Sequence, residues 1–241
     1  MIDAMLGAVG EAGTLCFPAL SYLFTTSESP TFDVACTPSN IGVIAEAFRS
    51  RHGVIRSVHP THSVTACGAQ ALELTCQHHL DRSPVGRHSP FRKVRELGGQ
   101  VAFLGCGCRS NTSMHGVEEL LDPQPPYLMM EQSIEYTVID RAAGTTETVE
   151  HRRHDFDGWG QRYERMVDVM PPGTYHRGLV GDAVLHVFEA APMWAAALEA
   201  YAADPLHFVD RIKPGTEEHI LKVGATGNLR YFVGANPTPA L

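Results

Sequence analysis

The segment best equipped for chemistry is Thr112-x-x-His115-x-x-Glu118. On a helix, residues three apart share a face, so Glu118 would stand beside His115, with Thr112 one turn earlier. A carboxylate beside an imidazole orients the ring and stabilises its protonated form, as for a general base with its orienter. The same residues also suit a plain helix start, with Thr112 as cap and Glu118 balancing the dipole.

Two other segments carry polar groups at short spacing. Arg56-Ser57-Val58-His59-Pro60-Thr61-His62-Ser63-Val64 holds two histidines, either facing a ligand or serving as hydrogen-bonded scaffolding. In Asp81-Arg82-Ser83-Pro84-Val85-Gly86-Arg87-His88-Ser89-Pro90-Phe91, the arginines and the helix start after Pro90 could hold a phosphorylated cofactor. A simple polar loop is the alternative. Cys106 and Cys108, in a glycine turn before a helix, are candidate nucleophiles. With His59 and His62 they supply zinc-type ligands, but neither spacing is a structural zinc pattern, and no metal is expected.

These segments need elements to position them. Ile2 to Val9 reads as a helix and Thr14 to Pro18 as a strand, followed by a loop through Thr25 to Pro38. A helix follows, with Thr37 or Ser39 as cap, Ile41, Ile44, Ala45 and Phe48 on its apolar face and Gly53 at its end. Arg56 to Val64 is extended, and Ala69 to Leu80 is a helix. Ser89-Pro90 caps and opens another, which ends at Gly98-Gly99. Gln100 to Leu104 forms a buried strand that turns through Gly105-Cys106-Gly107-Cys108 into a helix at about Thr112 to Leu121. Ser133 to His151 alternates about Ala143-Gly144 as a hairpin. Val180, Ala183, Val184, Val187, Phe188 and Ala191 recur at helical spacing and predict a long packed helix. The simplest reading is one α/β domain over 1–241 with a β insertion.

Composition narrows the function classes. With 241 residues, 44% hydrophobic and 19% charged, the chain is an ordinary globular one, not disordered, collagen-like or coiled-coil. No apolar run approaches a membrane span, and the first ten residues lack a signal peptide's basic start, so a cytoplasmic protein is expected. Nineteen basic against 27 acidic residues give a net charge of -8, which disfavours nucleic acid and favours a cationic ligand. The six cysteines read as reduced thiols, mostly in the core.

Four of these motifs, in this order and spacing, resemble the aminoglycoside 3-N-acetyltransferase family: Arg56 to Val64, Asp81-x-x-Pro84-x-Gly86-x-x-Ser89-Pro90-Phe91, Gly98-Gly99 before an apolar strand, and Asn111-Thr112-x-x-His115-x-x-Glu118. Weaker likeness continues through Asp155-Phe156-Asp157 and Gly178-x-x-Gly181-x-Ala183. The resemblance implies a layered α/β/α sandwich with a β-hairpin insertion, distinct from the GNAT fold. It implies acetyl-CoA as co-substrate and a cationic aminoglycoside, or another amine, as acceptor. His115 and Glu118 would be base and orienter, with Thr112 nearby. Ser63, Val64, Ser89, Pro90 and Phe91 would lie along the coenzyme, and Asp155 and Asp157 would contact the acceptor. Family members carry an upstream helix and strand, so this chain is expected to lack the first family strand. An acyltransferase of the same fold acting on another amine, or a CoA-binding protein without catalysis, are the alternatives.

Overall fold

The computed structural model describes residues 1–212, and the end of the domain expected over 1–241 lies outside them. Helix α1 (Ile2–Val9) leads through the turn at Gly10 into strand β1 (Thr14–Pro18), as expected. The polar stretch that follows is no mere loop: it contains β2 (Thr31–Asp33). Helix α2 (Val43–Arg49) buries Ala45 and Phe48. Neither Thr37 nor Ser39 caps it through its hydroxyl. Instead Glu46, within the first turn, accepts the Ser39 N–H at 2.8 Å. The short β3 (Ile55–Arg56) and β4 (Val64–Gly68) flank a tight turn at Pro60 and Thr61, so the segment expected to be extended folds back on itself.

The helix expected over Ala69 to Leu80 is α3 (Ala71–Thr75) plus a separate 3-10 turn at His78–Leu80. Helix α4 (Pro90–Glu96) starts on its proline, whose missing N–H costs nothing there. Strand β5 (Gln100–Leu104) precedes the glycine turn, and α5 (Ser113–Glu118) follows it. Thr112 takes the N-cap position of α5 without a side-chain cap bond, while Asn111 Oδ1 accepts the Ser113 N–H at 3.2 Å.

The hairpin is present and longer than its alternation suggested: β6 (Met129–Asp140) pairs antiparallel with β7 (Thr145–His154) about Gly144. Then come β8 (Trp159–Gln161), α6 (Met166–Val169), β9 (Tyr175–Val180), β10 (Ala183–Glu189), α7 (Ala190–Ala203) and β11 (Val209–Arg211). This corrects the helix expected from Val180 to Ala191. Those residues form the β9–β10 hairpin, whose two-residue loop Gly181-Asp182 has Gly181 at φ 58°. A glycine at positive φ beside aspartate is hairpin chemistry, and it outweighs an apolar spacing that fits either period. The packed helix begins only at Ala190.

The sheets are small. Order β3-β4-β1 is antiparallel throughout, as are β9-β10-β5 and the pair β8-β11; β2 adds in parallel to β6, which pairs with β7. The main core joins α5, α6 and α7 to β5 and β10 through Met114, Val117, Met166, Phe188, Met193 and Trp194. Gly116 permits this packing, because a Cβ there would overlap the Trp194 ring and come within 2.8 Å of Val85 Cγ1. The chain is thus α/β, and its core clamps the helix that carries His115. No helix among the described residues is long and apolar enough to cross a membrane.

Candidate active site

Helix α5 is buried along its whole length, and Glu118 is fully so. A carboxylate sealed from water must be hydrogen-bonded to remain charged. Glu118 meets four donors. His115 Nδ1–H donates to its Oε2 at 3.0 Å, and the Tyr163 hydroxyl donates to the same oxygen at 2.8 Å. The Tyr201 hydroxyl donates to Oε1 at 2.6 Å, and Tyr127 at 3.4 Å. Burial, reinforced by the charge of Glu118, holds the hydroxyls of Tyr163 and Tyr201 far above the ordinary tyrosine range, and raises Tyr127 too. All three therefore act as donors.

The carboxylate fixes the tautomer of His115. With the proton on Nδ1, the lone pair sits on Nε2, ready to accept another. Of the His115 side chain 10% remains exposed, so the ring is not fully sealed as Glu118 is. Tyr163 oxygen also lies 3.0 Å from His115 Nδ1, so Tyr163 and Glu118 together lock the ring.

The other two polar segments converge here. His62 hydrogen-bonds Thr61 Oγ1 through Nδ1 at 2.9 Å and stacks on Tyr22; its ring centroid lies 6.5 Å from that of His115. His59 is scaffolding. Its Nδ1 accepts the N–H groups of Thr61 and His62, and its Nε2–H donates to the Ser83 carbonyl at 3.0 Å. Burial lowers it to about 4, so it is neutral. The loop Asp81 to Phe91 is bolted to the site by Glu119, which accepts the Ser83 hydroxyl and, at 2.8 Å, the Val85 N–H. Arg82 Nη1 donates to the carbonyls of His79 and Asp81, both at 2.8 Å.

The residues expected along the coenzyme are mostly interior. Ser63 and Val64 are buried, and the Ser63 hydroxyl is engaged by Arg56 and the Ala19 carbonyl. Pro90 is buried and Phe91 half-buried. Ser89 differs: its hydroxyl is buried with no partner, at the head of α4. Asp155 and Asp157 are exposed and flank Phe156, whose ring lies 5.3 Å from that of His115. Phe156 adopts φ 51°, a left-handed conformation that costs an aromatic residue about 1–3 kcal/mol. Its N–H bonds the Tyr127 carbonyl at 3.0 Å and holds it there.

The cysteines depart from expectation. All six are free, but Cys36, Cys76 and Cys106 are exposed and only Cys108 is buried. Burial raises Cys108 to about 11 and lifts Cys106 as well, the reverse of an activated thiolate. Sequence reasoning missed Tyr127, Tyr163, Tyr201, Glu119 and His154. Only Glu119 had a local signal, as a second acid directly after Glu118.

A family model described as aminoglycoside 3-N-acetyltransferase matches residues 1–202. Aminoglycoside N(3)-acetyltransferase VII of Streptomyces paromomycinus is 32% identical over 222 residues, covering 79% of this chain and 74% of that protein. The structure of aminoglycoside acetyltransferase AAC(3)-IVa, as a histidine-to-alanine mutant in complex with a gentamicin, superposes with TM-score 0.70 at 29% identity, covering 86% of this chain and 75% of that one. The binary complex of AAC-IIIb with CoASH gives 0.65 at 25% identity, covering 79% and 77%.

Proposed function

This chain belongs to the aminoglycoside 3-N-acetyltransferase family, and from that premise we propose that it transfers the acetyl group of acetyl-CoA to the 3-amine of a 2-deoxystreptamine aminoglycoside, an activity that confers antibiotic resistance. The observation that carries the reading is the buried His115–Glu118 pair, closed by three tyrosine donors and open only at His115.

The chemistry follows from that geometry. A neutral amine attacks the thioester carbonyl, and His115 Nε2 takes the proton from nitrogen as the C–N bond forms. Glu118 stabilises the imidazolium. The C–S bond then breaks, and the departing sulfur receives the proton from His115, leaving amide, CoA thiol and the starting tautomer. Backbone N–H groups near the turn Gly105-Cys106-Gly107-Cys108 are the donors we assign to the acetyl carbonyl oxygen, with Thr112 at the head of the helix that carries the base.

Ser89 supports the coenzyme assignment, because an unpartnered buried hydroxyl is a donor kept in reserve. Ser63, Val64, Pro90 and Phe91 belong to the same assigned coenzyme wall. Asp155 and Asp157 offer carboxylates to the ammonium groups of the acceptor beside the base. No step requires a metal.

Thiol release from acetyl-CoA tests the reading. The purified protein should release CoA only when an aminoglycoside with a free 3-amine is present, and His115→Ala should lower turnover by roughly 10²- to 10⁴-fold while remaining folded. Absence of release across a panel of such acceptors overturns the reading.

A further inference from the structure

Glu118 and Glu119 are consecutive, yet each carboxylate holds a different histidine. Glu118 holds His115. Glu119, the C-cap of α5, accepts through Oε1 from Nε2–H of His154, the last residue of β7, at 3.3 Å. Both side chains of this second pair are nearly buried, 9% and 5% exposed. Glu119 is fixed in turn by Ser83 and Val85, so His154 is anchored to the loop before α4 as well.

The two histidines touch. Their ring centroids are 4.2 Å apart, tilted by 48°, the closest ring contact His115 makes among the described residues. His62 stands 5.6 Å from His154, and Phe156 meets His154 edge-on. Among ionisable groups, His115 faces Glu118, Glu119, Tyr163, His62 and His154, while His154 faces Glu119, His62, His59 and His115. Burial first, then the charge His115 can carry, pushes His154 well below the usual histidine range. Two protons on rings this close would repel strongly, whereas one imidazolium against a neutral ring is attracted as a cation to a π face.

The geometry points to His154, fixed by Glu119, as a positioning residue for His115: it holds the base's ring in place and presents a neutral ring face to the imidazolium formed during proton transfer. This rests on the acetyl-transfer reading of the same site. It gives a role to the carboxylate of Glu119, the C-cap of α5, which hydrogen-bonds His154 rather than His115.

His154→Leu and His154→Phe separate the roles. Leucine fills the volume without a π face; phenylalanine keeps the face and loses the tether. We expect His154→Leu to lower kcat about 10- to 100-fold with KM for acetyl-CoA within about twofold, because small misplacements of a base are costly. The acid limb of the kcat/KM profile should move to lower pH by half a unit or more. His154→Phe should restore the limb and much of kcat. Wild-type kcat and limb in His154→Leu overturn the proposal. So does a loss that phenylalanine does not rescue with the limb unmoved, or a change confined to KM for the acceptor. Should His154→Leu not fold, His154→Gln decides: it removes the ring face, so a fall in kcat with the limb moved to lower pH supports the proposal, and wild-type kcat and limb overturn it. Histidine-selective ¹H–¹⁵N NMR reads the His115 titration without turnover. Inactive wild type would therefore defeat the acetyl-transfer reading, while an unshifted His115 titration in a folded variant defeats this inference alone.

Discussion

Tyr201 Oη donates to Glu118 Oε1 at 2.6 Å, joining α7 to α5 across 83 residues of sequence. The donor is buried, the acceptor fully so, and the other contact to that oxygen, from Tyr127, is longer at 3.4 Å. The Glu118 carboxylate is thus held chiefly by the last long helix on one oxygen and by Tyr163 and His115 on the other.

Tyr201→Phe should therefore affect stability and chemistry together. A hydrogen bond to a buried charge contributes about 1.5–3 kcal/mol, and the phenylalanine leaves Oε1 short of its main donor. We expect a lower Tm and kcat reduced several-fold, with both KM values little changed. Unaltered kcat in the folded variant would show that Glu118 is oriented without Tyr201.

Gly116 tests the clamp on the same helix from its other side. A methyl group there overlaps the Trp194 ring and crowds Val85. Overpacking of this kind costs about 1–3 kcal/mol, and since α5 must shift to relieve it, kcat should fall as well. Thermal unfolding and steady-state kinetics of Gly116→Ala check both; a variant with unchanged Tm would mean that Trp194 moves aside freely.

How much of this was legible follows from the range of each interaction. Thr112, His115 and Glu118 are three residues apart, so helical geometry alone brings the last two together. The β6–β7 hairpin was legible because alternation and Gly144 are local too. Tyr163 reaches Glu118 across 45 residues, and His154 reaches Glu119 across 35; no periodicity encodes such partners. The β9–β10 hairpin was misread for a different reason. Apolar residues at 180, 183, 184, 187 and 188 satisfy a helical stripe as readily as paired strands, and only the Gly181-Asp182 turn discriminates.

The buried histidines give the fold an acid limit. His59 stays neutral down to about pH 4 when folded, chiefly through burial, whereas in the unfolded chain it takes up a proton near 6.5. Protonation thus favours the unfolded state: this stabilisation is complete above about pH 7 and is lost as pH falls from 6.5 toward 4, by about 3 kcal/mol for His59 alone. His62, His78, His151 and His154 are lowered in the same direction. Calorimetry should show Tm dropping steadily below pH 6.5, and a flat Tm between pH 7 and 5 would contradict neutral burial of this cluster.

Ser89 gives a separable test of the coenzyme wall. If its hydroxyl donates to the coenzyme, Ser89→Ala removes one hydrogen bond from the complex and none from the free protein. Such a bond contributes about 0.5–1.5 kcal/mol, so the Kd for CoA should rise about 2- to 12-fold while Tm without ligand stays constant or rises. Calorimetric titration measures it, and equal affinities would remove Ser89 from the wall.

An acceptor site at Asp155 and Asp157, as we propose, would depend on charge in a way that salt exposes. Asp155 and Asp157 are exposed on either side of Phe156, and the Asp155 and Phe156 N–H groups pin that loop to the Leu128 and Tyr127 carbonyls, both at 3.0 Å. The loop is held firmly while its carboxylates remain solvated, so each contributes no more than a surface ion pair does, about 0.2–1 kcal/mol. Asp155→Asn/Asp157→Asn should raise KM for the aminoglycoside by roughly 2- to 25-fold, leaving kcat and KM for acetyl-CoA within about twofold. Screening adds an internal control: the wild-type KM for the acceptor should climb with ionic strength, and the double variant's should climb less steeply. Parallel salt dependence in the two proteins would place the ammonium groups elsewhere on the acidic surface.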